Sequence, residues 1–200
     1  MTRYGRDHKE ATRRRIIDSA GRRFKRDGID GSGIATLMAD AGLTNGAFYA
    51  HFASKEDLVA ATVLDQLRGQ CEQYGADLSG HDGVERLVRE YLSTGHRDEI
   101  EHGCPSAALL DEIGRCSATT KQAYTEGALA VVDVIAAQLA PDDPQSARGK
   151  TLSLFAMMIG TLQLSRALAD RALADEVLDH GLTNALALLA TDDADPDSRP

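Results

Sequence analysis

Residues 43–58 read LTNGAFYAHFASKEDL, and how this stretch is read decides the fold. Its centre, Phe48-Tyr49-Ala50-His51-Phe52, has the alternation of a β-strand. The flanks argue for helix. Upstream, Ala41-Gly42 is a stop, because glycine takes the left-handed conformation that ends a helix. Downstream, Ser54 before Lys55-Glu56-Asp57 is a start. A serine there accepts from first-turn N–H groups, and the two acids suit the positive end of the helix dipole. The stretch between is therefore expected to be a short helix, capped by Thr44 or Asn45. Phe48 and Phe52, four residues apart, share one face and are expected to pack on Phe24 and Leu37.

Outward from this stretch the apolar period stays near 3.6. Ile16, Ile17, Ala20 and Phe24 mark a first helix over about 8–27, stopped at Asp27-Gly28. Ser32 is the expected N-cap of a second helix carrying Ile34, Leu37 and Met38. The glycines between lack the preceding strand that a phosphate-binding loop requires. After residue 55 a long helix carries the stripe Leu64, Leu67, Cys71, Tyr74 and Leu78. Further helices are expected at about 82–96, at 105–115 opened by Pro105, and at 118–140, 144–170 and 174–190. No segment fit for a strand remains. The predicted fold is all-α with about nine helices. It divides into an N-terminal three-helix unit over 1–54, a helical domain over 55–191, and an acidic tail over 192–200. The tail has no large apolar residue to anchor it and is expected to be disordered.

Two hundred residues suit one core, or a small module on a larger one. No apolar run reaches the ~18 residues of a membrane span, and MTRYGRDHKEATRRR has no apolar core of a secretory leader. Three cysteines, Cys71, Cys104 and Cys116, do not make a disulfide framework and fit a reducing cytoplasm. Neither CxxC nor HExxH spacing occurs, so no metal site and no cofactor is expected. Charge divides unevenly: residues 1–55 carry +5 and residues 56–200 carry −14, giving the chain its −9. A basic end on an acidic body suits a protein whose one end meets a polyanion.

Ile34 to Ala41, the turn Gly42-Leu43-Thr44, and Asn45 to His51 form a helix-turn-helix, with the supporting helix upstream. In that motif the start of the second helix reads bases in the major groove of DNA. The residue types suit the task. Asn45 has an amide able to pair with adenine, Thr44 a hydroxyl and a methyl, and Gly46 and Ala47 let the backbone approach base edges. Tyr49, His51 and Lys55 have the reach for phosphate oxygens. The plainer reading makes Phe48, Tyr49 and Phe52 core and His51 a surface histidine. The ordered combination of basic helix, helix, glycine turn and small-residue helix start favours DNA.

KEATRRRIIDSAGRRFKRDGIDGSGIATLMADAGLTNGAFYAHFASKEDLVA, residues 9–60, resembles the DNA-binding domain of the TetR family of bacterial repressors. That resemblance implies a homodimer on a palindromic operator and a helical C-terminal domain holding an inducer pocket and the dimer interface. It also implies phosphate contacts from Thr36, Tyr49, His51 and Lys55, with Thr44, Asn45 and Gly46 facing bases. The run Arg13-Arg14-Arg15, Arg14 among them, would lie near the DNA backbone. Helix 144–170 is apolar on more than one face, as a helix packed against its own domain and a second copy would be, with the central helix of a monomer as the competing reading.

HGCPSAALLDEI raises a separate possibility. Pro105 as first helical residue puts Cys104 at the N-cap, where the helix dipole favours a thiolate. The segment resembles NemR-like members of the family, which implies a cysteine sensor of electrophiles or oxidants. Against this stands the ordinary role of a small buried cysteine. Tyr91, Tyr124, Phe155, Met157 and Met158 are candidates to line an inducer pocket on composition alone, with structural core as the competing role. Two other functions compete with a DNA-binding regulator. An all-helical enzyme lacks any evident nucleophile–base pair, and a helical adaptor would leave the basic end without a task.

Overall fold

The structure, a computed structural model, describes residues 3–191, with side chains from Asp7 onward. The acidic tail expected over 192–200 lies outside the described residues. Among those described there is no strand. The order is α1 (Arg3–Asp27), α2 (Ile34–Asp40), a 3-10 helix (Asn45–Ala50), α3 (Lys55–Asp77), α4 (Gly80–Tyr91) and α5 (Thr94–Asp98). A second 3-10 turn (Ile100–His102) follows, then α6 (Pro105–Arg115), α7 (Ala118–Leu139), α8 (Pro144–Ala167) and α9 (Arg171–Ala190). The chain forms two compact units. One comprises residues up to Gly69 together with Ile100–Ala128; the other comprises Gln70–Glu99 and residues from Leu129 onward.

In the first unit Ile16, Ala20 and Phe24 of α1, Leu37 and Met38 of α2, Phe48, Phe52 and Leu58 are all buried. Gly28 and Gly42 take the left-handed conformation (φ 80° and 66°) and end α1 and α2. Glycine does this without the steric strain a side chain would bring. The cap of α2 differs from expectation: Gly33 holds that position, and the Ser32 hydroxyl turns back to donate to the Gly28 carbonyl (2.6 Å). Ser32 is wholly buried there, so satisfying its own hydroxyl inside the turn outweighs capping the helix. The start of α3 follows expectation and adds a reciprocal bond. The Ser54 hydroxyl accepts from Asp57 N (3.1 Å), and the Asp57 carboxylate accepts from Ala53 N (3.0 Å).

Residues 100–112 are stapled to the end of α1. Lys25 Nζ donates to the Gly103 carbonyl (2.9 Å), and the Glu112 carboxylate accepts from Ile29 N and Asp30 N (2.8 and 3.1 Å). These bonds bridge about eighty positions of sequence, so no local pattern announces them.

In the second unit α4 buries Val84, Leu87, Val88 and Tyr91, the i, i+3, i+4, i+7 face of an amphipathic helix. The expected helix over 82–96 is broken after Tyr91, and α5 starts afresh with the Ser93 hydroxyl accepting from His96 N. The break lets Arg97 turn inward. Its guanidinium is only 5% exposed and pairs with Asp98 (2.8 Å) and Asp175, while Arg166 donates to the carbonyls of Arg97 and His96. The Asp98 carboxyl, bonded by Arg97 and also by Arg171, falls to about 2. A buried cation is tolerable only with such pairing. Helix α8 ends at Ala167, earlier than expected, and the three residues to Asp170 return the chain as α9 beside it. The Asp170 carboxylate caps α9 by accepting from Ala172 N and Leu173 N. In the long stripe of α3, Leu67 and Tyr74 are buried, whereas Leu64, Cys71 and Leu78 are half-buried.

Candidate nucleic-acid interface

Thr44 is the N-cap of the turn Asn45–Ala50 in extended conformation, without a side-chain cap bond. The residue is exposed and its hydroxyl is not engaged in capping. The segment is 3-10 rather than α, with Ala47 N bonded to the Thr44 carbonyl (3.0 Å) and His51 N to the Phe48 carbonyl (2.9 Å). Its six residues hold little stability of their own. Position comes from two anchors, Phe48 and Phe52, both buried, with ring centroids 5.8 Å apart. Tyr49 stands edge-on to Phe48 (5.2 Å, 89°) and is 69% exposed.

Thr44, Asn45 and Gly46 are exposed together with Tyr49, and Thr36 is exposed on α2. Gly46 is informative because nothing in the fold requires it. Its φ lies outside the left-handed region, and a Cβ added there would meet no atom within 4 Å. An unneeded glycine at an exposed helix start suits the close approach of something outside the chain. Lys55 is half-buried as first residue of α3. Arg14 is exposed but engaged, its guanidinium 3.1 Å from the Asp65 carboxylate and 3.6 Å from that of Asp18.

Arg13, not Arg14, lies against the recognition turn. Its guanidinium sits 4.3 Å from the Phe52 ring centroid, within cation–π range. Arg13 Nη1 and His51 Nδ1 are both buried without a hydrogen-bond partner. Burial, and then the positive charges of Lys9, Arg13 and His8, push the His51 imidazole below its ordinary value near 6.5. The sign follows from linkage. The unfolded chain protonates this histidine as pH falls through 6.5, and the folded chain resists until its lower value is reached. Stability should therefore decline over that window and hold above it. Urea midpoints between pH 7.5 and 5.0 should fall less for His51→Asn than for the wild type. Equal declines would show that His51 does not titrate in this way.

Cys104 is the N-cap residue of α6 and only 4% exposed, with Pro105 first in the helix as expected. Tyr124 is half-buried, and its hydroxyl donates to Ser106 Oγ (3.2 Å). Both belong to the first unit. Tyr91, Phe155 and Met158 are buried in the second. The Tyr91 ring meets the His96 imidazole edge-on at 4.5 Å, and His96 Nδ1–H donates to the Tyr91 carbonyl (2.8 Å). The five candidate sensor and ligand residues are thus divided between the units. None lines either of two surface clefts, one at Lys55–Glu112–Thr120 and one between α8 and α9. Met157 lines the second of these. Among the described residues no cluster of His, Cys, Asp or Glu could hold a metal ion, and no single helix is long and apolar enough to cross a membrane.

Residues 16–62 match the family of bacterial regulatory proteins, tetR family. The probable HTH-type transcriptional regulator ArpR of Pseudomonas putida is 39% identical over 110 residues, 55% of this chain and 45% of that protein. The HTH-type transcriptional regulator TtgR, also of Pseudomonas putida, is 33% identical over 87 residues, 44% of this chain and 41% of that one. The chain thus spans less than half the length of these curated relatives. Among solved structures, the reduced form of NemR from E. coli aligns with a TM-score of 0.75 at 19% identity, over 91% of this chain and 98% of that one. At that identity the likeness is one of fold.

Proposed function

We propose that this chain, whose residues 16–62 match the tetR family of bacterial regulatory proteins, is a TetR-family DNA-binding transcriptional regulator and a cytoplasmic repressor. It binds a palindromic operator as a homodimer and leaves it when an effector arrives. Residues 1–54 bind DNA, and 55–191 hold the effector and the dimer contact. The observation that carries the reading is the exposed triad Thr44-Asn45-Gly46, with a glycine no fold contact demands, held by the buried Phe48 and Phe52. Thr44, Asn45 and Gly46 meet base edges. Thr36, Tyr49, His51 and Lys55 meet phosphates, and Arg14 adds positive potential at the backbone.

The dimer reading is supported by the outer face of α8 and α9. Leu152, Leu164 and Leu173 are exposed there, at 43%, 53% and 43%, and a groove of about 380 Å³ runs between the helices. Two copies would set two recognition turns about one DNA turn apart, roughly 34–36 Å, or a multiple of that. For release, one route is a small molecule that favours a dimer with mismatched spacing. The other is modification of Cys104, whose near-complete burial requires local opening before an electrophile reaches it.

Footprinting on DNA upstream of the gene, followed by binding at several salt concentrations, tests this. Tyr49→Phe and Lys55→Ala should weaken binding to every sequence, and Lys55→Ala should reduce the salt slope by about one. Asn45→Ala should instead change which base is preferred at one position of each half-site, by about 1–3 kcal/mol. Unchanged affinity in all three variants would remove the interface from this surface. Equal release by an electrophile in wild type and Cys104→Ser would remove the thiol from the mechanism.

A further inference from the structure

The first unit contains a cleft of about 200 Å³ that the DNA reading leaves without a role. It is walled by the α1–α2 turn, the first turn of α3, the end of α6 and the first turn of α7. Its floor is apolar, from Ile29 and Val59. Around that floor stand Asp30, Lys55 and Glu56, and none of the three enters an ion pair among the described residues. Opposite charges that share a cleft without pairing are complementary to a guest carrying both signs.

Two neighbouring charges are already committed. The Glu112 carboxylate holds the backbone N–H groups of Ile29 and Asp30, and Arg115 pairs with Asp111 (2.5 Å). Asp30, Glu56 and Glu112 line the cleft together with Cys116, whose thiol is pushed up by burial and then by these carboxylates. A second and independent feature is Thr120. It lines the cleft, is 0% exposed, and its hydroxyl has no hydrogen-bond partner. A buried hydroxyl without a partner is costly, and a ligand that supplies one removes the cost.

We propose that this cleft binds a small zwitterion of the α-amino acid class. Its carboxylate meets the Lys55 ammonium and the Thr120 hydroxyl, its ammonium meets Asp30 and Glu56, and its side chain rests on Ile29 and Val59. A simple anion would face the carboxylates without compensation, and a simple cation would face Lys55. The cleft is distinct from the groove between α8 and α9 and from the buried Tyr91, Phe155 and Met158. Occupation has a consequence that rests on the DNA reading. Lys55 serves both the cleft and a phosphate contact, so an amino acid carboxylate that engages it competes with the operator.

The test uses the full chain in thermal melting and calorimetric titration, with each protein α-amino acid in turn and with acetate and methylammonium as single-charge fragments. One or a few amino acids should bind one per chain and raise the melting temperature, while acetate and methylammonium at equal concentration should not. Thr120→Val keeps the shape and deletes the unsatisfied hydroxyl, so it should fold at least as well and bind the amino acid at least tenfold more weakly. Glu56→Gln should also weaken it. No response to any amino acid, an equal response to acetate, or undiminished binding by Thr120→Val would overturn the site. Operator affinity is read separately. It should fall when the amino acid is added to wild type and stay constant for Thr120→Val. If wild type binds the amino acid yet keeps its operator affinity, competition through Lys55 is overturned and the site stands. If no specific DNA binding exists at all, the DNA reading fails, and the titration still decides the site.

Discussion

Phe48→Ala is expected to lower stability by about 3–5 kcal/mol, the range for emptying a fully buried phenylalanine site. The ring is 0% exposed and meets both Tyr49 and Phe52. The cost should be at the upper end, because the six-residue 3-10 turn has no long helix to hold its place if the anchor goes. Tyr49→Ala, by contrast, removes an exposed ring and should stay within about 0.5 kcal/mol. The two neighbours thus separate folding from recognition. Phe48→Ala should lose DNA binding together with stability, and Tyr49→Ala should lose it alone. Urea unfolding of the two variants measures this. A loss below about 1 kcal/mol for Phe48→Ala would mean that the turn is held by something other than its aromatic ring.

Gly181→Ala is expected to destabilise by about 1–3 kcal/mol, despite alanine's better helix propensity. In α9 a Cβ at this position would lie 2.3 Å from Thr161 Cγ2 and 3.0 Å from Thr161 Cβ, on the facing side of α8. Rotating the threonine moves Cγ2 but not Cβ, so the helices themselves must part. Gly149 in α8 is the matched control. It is exposed with nothing within 4 Å of its added Cβ, so Gly149→Ala should stabilise by up to about 1 kcal/mol. Pairing Gly181→Ala with Thr161→Ala should recover part of the loss. Strict additivity of the two changes would show that these positions do not touch. Because α8 and α9 carry the proposed dimer face, Gly181→Ala should also raise the concentration at which dimers form.

The recognition turn was legible because its requirements are local. Glycine at 42, small residues at 45–47 and phenylalanines four apart describe a helix-turn-helix without any distant partner. The same holds for α4, whose i, i+3, i+4, i+7 apolar face is the face it buries, and for Pro105, which fixes the start of α6 and so the N-cap place of Cys104. Ser32 marks the limit of this kind of reasoning. Its type suits a cap, but its hydroxyl is spent on the Gly28 carbonyl inside a buried turn.

What the sequence by itself determined is the helical class, the motif over 34–51 and the division of charge, since periodicity, caps and composition act over a few residues. Only the tertiary structure decided that Arg13 lies on Phe52, that Arg14 is bound by Asp65, that Glu112 holds the turn at Ile29, and that Arg97 is buried with its aspartates. In three of these the partners lie 39 to 83 positions apart: 39 for Arg13 and Phe52, 51 for Arg14 and Asp65, 83 for Ile29 and Glu112. A charged or polar side chain has no period of its own. Whether it faces water, a ring or a carboxylate is settled by which helices pack around it.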